Sequence, residues 1–83
     1  MPLYLDKHHH VEGLTAEGIK EAHQADLATQ EEYGVQYLQY WFNEETGAVF
    51  CLVEAPNKEA AAAVHKHAHG LEADEIIEVQ QGS

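Results

Sequence analysis

The sequence predicts a small α+β domain, and three observations predict it. Two segments carry helical periodicity, four carry strand character, and they alternate as β-α-β-β-α-β. That order is the ferredoxin-like split βαβ arrangement: a four-stranded antiparallel sheet with two helices on one face. The 83 residues make one domain, 1–83, with no room for a second core. A chain this short is marginal alone, and a partner subunit or a bound metal would stabilise it.

The elements follow in order. From Pro2 to about Val11, Leu3 and Leu5 alternate with Tyr4 and Asp6, as in a half-buried strand, until Gly13 breaks the pattern. Thr15 is the expected N-cap of a helix with acids in its first turn, running to about Tyr33, where Gly34 supplies a left-handed stop. Val35 to Phe42 is rich in aromatic and branched residues and reads as the second strand. Asn43 to Gly47 is a hairpin turn, Ala48 to Glu54 the third strand, and Pro56 its end. Asn57 caps a helix through the Ala60–Ala63 run to His69, and Gly70 ends it. About Glu75 to Val79 forms the last strand, and 80–83 is a tail expected to fray. Strand two places Tyr37 and Trp41 on one side and Leu38, Tyr40 and Phe42 on the other, so both sheet faces read as apolar. A sheet with two apolar faces calls for a partner, and a homodimer is the expected one.

Composition narrows the function. Fifteen acidic residues oppose four basic ones, for a formal net charge of -11, and no arginine occurs. Nucleic-acid backbones and anionic membranes need cationic side chains, so both are excluded as expected partners, while the acidic field attracts cations. One cysteine, Cys51, allows no internal disulfide and no cysteine-rich zinc site. Between Phe50 and Leu52 it reads as a small buried hydrophobe rather than a nucleophile. No apolar run is long enough for a signal sequence or membrane span, so a cytoplasmic location is expected.

Seven histidines remain to be explained. The run His8-His9-His10 is only three long and is embedded between a strand pattern and Val11, so it reads as native rather than as a tag. His8 and His10 share a face with Tyr4 and Asp6, and His9 shares one with Leu3 and Leu5. On the first helix, Ile19, Ala22, His23, Asp26, Gln30 and Tyr33 form the inward face, with His23 and Asp26 at i, i+3. Burying such groups without partners costs a few kcal/mol, so they satisfy either one another or a bound ion. On the second helix, His65 and His69 stand at i, i+4, a two-imidazole chelate spacing, at the edge of an apolar stripe of Ala60, Ala61, Val64, Ala68 and Leu71. His67 lies on the opposite flank. Imidazole suits nickel, copper and zinc alike. The competing reading of these histidines is a solvated helix end, favoured by the helix dipole.

Several strings carry a family resemblance: Met1-Pro2-Leu3-Tyr4-Leu5-Asp6-Lys7-His8, Val11-Glu12-Gly13, Ala22 to Leu27, Tyr40-Trp41-Phe42 and Phe50 to Pro56. The strongest are Val64-His65, Ala68-His69-Gly70-Leu71 and Asp74 to Val79. Together they resemble a bacterial family of small nickel-binding, ferredoxin-like proteins formerly filed as a domain of unknown function. The resemblance implies a dimer of ferredoxin-like subunits that binds Ni2+, or another divalent transition metal, with no assigned catalysis. His8, His23, Asp26, His65 and His69 fall within the recurring motifs and are the implied metal-site candidates; His9, His10 and His67 lie outside them. The function expected on these grounds is nickel storage, buffering or delivery. The alternative is a small dimeric enzyme of monooxygenase type, with an organic ligand in the helix–sheet cleft and His23 with Asp26 as general base.

Overall fold

The structure, a computed structural model, describes residues 1–82. Strand β1 spans Leu3–His8, helix α1 Ala16–Thr29, β2 Gln36–Asn43, β3 Ala48–Glu54, α2 Lys58–Ala68 and β4 Glu75–Val79. The sheet order is β2-β3-β1-β4 and every neighbouring pair is antiparallel. This is the ferredoxin-like order expected, with both helices packed on one face.

Local chemistry sets the boundaries. The Gly18 N–H donates to Thr15 Oγ1 at 3.0 Å, and the Ala60 N–H donates to Asn57 Oδ1 at 2.9 Å, so both expected caps are in place. Helix α1 tightens into a 3-10 turn over Gln30–Tyr33 before Gly34, whose φ of 66° is the left-handed stop. Strand β1 ends at His8, three residues short of the expected Val11. Beyond it the His9 N–H leaves the ladder for Asp74 Oδ2, and the Val11 N–H is taken by the Gly47 carbonyl. Gln80 to Gly82 form no helix or strand, and the last residue of the expected tail, Ser83, lies outside the described residues.

Strand β2 departs from simple alternation. A bulge between Tyr37 and Gln39 inserts Leu38, so Tyr37 and Tyr40 both face the helices while Trp41 turns to the opposite face beside Phe50. Tyr37 and Trp41 therefore do not share a side, as alternation predicted. Across the sheet, Tyr40, Cys51, Asp6 and Ile76 line up as one row beneath the helices. The core is built on this face from Tyr4, Ile19, Val35, Tyr37, Val49, Val53, Ala61 and Val64. The other face presents Leu5, Leu52, Trp41, Phe50 and Ile77 without cover from the chain's own helices.

Candidate metal centre

Three elements deliver charged or polar side chains into the apolar layer between helices and sheet. Alternation along β1 sends Tyr4, Asp6 and His8 inward, and all three are buried. Helix α1 presents Asp26, only 2% exposed, and helix α2 presents His65, only 1% exposed. His65 was expected at the edge of its stripe. The alanines of α2 bring that helix close to the sheet, and Ala61 is fully buried, so even an edge residue is enclosed. His65 is thereby carried into contact with two carboxylates.

The His65 ring spans them. Its Nδ1 lies 2.8 Å from Asp26 Oδ1 and its Nε2 lies 2.7 Å from Asp6 Oδ2. A carboxylate accepts, so the ring donates from both nitrogens and is an imidazolium. Burial alone would favour the neutral ring, but the hydrogen bonds to Asp26 and Asp6 outweigh it and lift its pKa to about 12. Burial would likewise raise Asp6, yet the His65 and His8 rings hold it down at about 2. Asp26 is lowered too, with His65 and His69 overcoming its burial. The Tyr37 hydroxyl donates to the Ala61 carbonyl at 2.9 Å and lies 3.4 Å from Asp6 Oδ2. Its burial, with the charge of Asp6, pushes the phenol far above its ordinary range.

The remaining histidines ring this clamp. His69 Nε2 stands 3.0 Å from Asp26 Oδ1 on the outer side, and its Nδ1 accepts from the Leu71 N–H at 3.1 Å. His8 Nε2 lies 3.6 Å from Asp6 Oδ1 on the inner side, too far for a hydrogen bond. Two groups of potential ligand atoms result, each within 4.8 Å: Asp26, His65 and His69, and Asp6, His8, Cys51 and His65. Four of the five expected residues, His8, Asp26, His65 and His69, therefore converge.

The fifth, His23, stands apart. It packs on Tyr40 with ring centroids 4.6 Å apart, and of the two readings of His23 and Asp26 the mutual hydrogen bond is not formed, since Asp26 accepts from His65 instead. Buried His23 Nδ1 has no hydrogen-bond partner, and burial holds its pKa below the usual histidine value, so it is a neutral ring with a free donor atom. It lines the same small cavity as His8, Asp26, His65 and His69, about 10 Å3 in volume, room for one water- or ion-sized body.

Sequence reasoning missed Asp6 and set Cys51 aside. Cys51 lines the cavity, and Asp6, paired with it across β1 and β3, lies behind it against His65. The signal for Asp6 was its place two residues before His8, on the side of the strand that also carries Tyr4. Of the other histidines, His9 and His10 are exposed beside Glu75 and Glu12, and His67 is exposed with Tyr33 and Glu32.

Comparison with known proteins identifies the fold and the family. No curated protein sequence matches. Among solved structures, the crystal structure of SCO4226 from Streptomyces coelicolor A3(2) superposes with a TM-score of 0.90 at 38% identity, covering 98% of this chain and 99% of that one. The family model described as nickel responsive protein SCO4226-like matches residues 4–79. The chain belongs to that nickel-responsive family.

Proposed function

We propose that this chain binds a divalent transition metal, nickel for preference, and stores, buffers or delivers it in the cytoplasm. One observation carries the reading: the buried Asp6–His65–Asp26 clamp, two carboxylates against one imidazolium, keeps one negative charge uncompensated beside an ion-sized cavity. Buried charge without a partner is costly, so the site favours a cation. Exchanging the His65 proton for a divalent ion cancels that charge, which a monovalent ion in the proton's place does not.

His65, His69, His23 and His8 supply the nitrogen donors in this reading, and Asp26 is a ligand or orients one. The unpartnered Nδ1 of His23 supports it: the protein leaves this ring nitrogen unbonded, and burial favours the neutral ring that can ligate a metal. The family's nickel-responsive description favours nickel among the metals that imidazole suits. A location in the cytoplasm accords with the lack, among described residues, of a helix long and apolar enough to cross a membrane. The uncovered apolar sheet face favours a homodimer. The alternative, an organic ligand in the cleft, would have to use the adjoining groove of about 210 Å3 along Val11, Ile19, Ala22 and Leu71, since the cavity beside the histidines measures only about 10 Å3.

The test is nickel titration of chelator-stripped protein, read by calorimetry and native mass spectrometry. Saturation at an integer ratio is expected. Replacing His23 and His69 together by alanine, which leaves the His65 clamp in place, is expected to weaken binding by at least about tenfold, the lower end of what losing even an outer partner of a metal costs. Weak, unsaturable binding, or a double variant that binds as the parent does, would refute the nickel site.

A further inference from the structure

The inner group at the sheet floor differs in chemistry from the imidazoles above it. Cys51 of β3 is 5% exposed and lies directly across from Asp6 of β1. The ligand atoms of Asp6, His8, Cys51 and His65 lie within 4.8 Å of one another, and all four residues are buried.

A buried thiol alone would be packing. The second observation is Asp6 itself. It is fully buried, one of its oxygens is bound to His65, and the other, Oδ1, has no hydrogen-bond partner. That oxygen faces His8 Nε2 at 3.6 Å. The gap is too long for a shared proton. It is near the spacing of two ligands on one ion: with bonds of about 2.1 Å, two donors on a tetrahedral ion stand about 3.4 Å apart.

We infer that Asp6, His8 and Cys51 form an inner metal position that takes a thiolate-binding divalent ion, of the borderline-soft class to which zinc and cobalt belong. The inference rests on the metal-binding reading above and adds sulfur to its donor set. The hydrogen bond from His65 Nε2 to Asp6 Oδ2 fixes the carboxylate and leaves Oδ1 free to coordinate. The inner position takes His8 from the donors named above and leaves His65, His69, His23 and Asp26 to the outer one, so the two positions share no ligand. Binding replaces the Cys51 S–H bond by a sulfur–metal bond, and the proton leaves to solvent. Charge supports the assignment: the divalent ion offsets the new thiolate and the Asp6 carboxylate whose Oδ1 it takes. Burial lifts the free thiol to about 11, so without an ion it stays protonated and inert.

Cobalt(II) is the probe, because thiolate bound to it gives a near-ultraviolet charge-transfer band that nitrogen and oxygen ligands do not. Stripped, reduced protein titrated with cobalt is expected to develop that band to saturation, while native mass spectrometry counts the ions. Cys51→Ser, nearly isosteric, is expected to abolish the band, and His69→Ala to keep it. Integer cobalt loading without a thiolate band, or an unchanged band in Cys51→Ser, overturns the inner position and leaves the imidazole site standing. A band lost equally in His69→Ala overturns a separate inner position, since one site then uses both residues. No loading of any ion overturns both readings.

Discussion

At the residue scale, the clamp makes the stability of the metal-free fold depend on pH from both sides. His65 has a folded pKa raised from 6.5 to about 12, so its contribution is complete below about 6.5 and declines as pH rises toward 12. Asp6 is lowered from 3.8 to about 2, so its contribution is complete above about 3.8 and is lost as pH falls toward 2. Maximum stability is therefore expected between roughly pH 4 and 6.5. Above that range each pH unit removes up to about 1.4 kcal/mol while the folded ring holds its extra proton. Denaturant midpoints measured from pH 4 to 9 without metal check this, and Asp26→Asn, which keeps an acceptor but removes one negative charge beside His65, is expected to flatten the alkaline limb. A flat profile in the parent would show that His65 is neutral. Much of this centre was legible from residue type and spacing: Asp26 on an apolar helix face and His65 and His69 at i, i+4 all point to the place they occupy. Asp6 was not, because in a chain with 15 acidic residues its one signal, a shared strand face with Tyr4 and His8, is weak. Its partner, His65, is 59 residues away.

At the element scale, punctuation was the most legible feature. Thr15, Gly34, Asn57 and Gly70 act where cap chemistry places them, and β3 and β4 match their expected bounds. What alternation could not foresee was the bulge at Leu38, since the extra residue depends on how β2 pairs with β3 and not on β2 alone. The early end of β1 has the same origin: Asp74, far along the chain, takes the His9 N–H. Because α2 carries His65, its cap also bears on the centre. Asn57→Ala is expected to cost about 1 kcal/mol, and so to lower the melting temperature by about 4–8 °C in a domain this small. Thermal unfolding followed by circular dichroism checks it, and an unchanged melting temperature would deny the cap its role.

At the scale of the whole molecule, charge and shape act on different partners. The net charge of -11 draws cations toward the chain, so metal uptake is expected to slow as ionic strength rises. The apolar sheet face meets the reading of a homodimer, in which the same patch lies on both sides of a two-fold axis. Leu52 sits mid-strand in that face, opposite Leu5. Leu52→Lys is expected to turn a dimer into a monomer in sedimentation velocity while the helix-side cavity keeps its ions. A parent chain that sediments as a monomer would remove the dimer from the account.

The place of β1 in the sheet has one more consequence. This strand, made before both its neighbours, lies between β3 and β4 and gains the second of them only when Glu75–Val79 has been made. Its Asp6 waits for a ring encoded 59 residues later, so early in synthesis the growing chain presents histidines but no enclosed chelate. Closing such distant pairings is the slow part of folding a mixed sheet. On the proposed metal-binding reading, capture at the clamp therefore waits until this last crossover has closed.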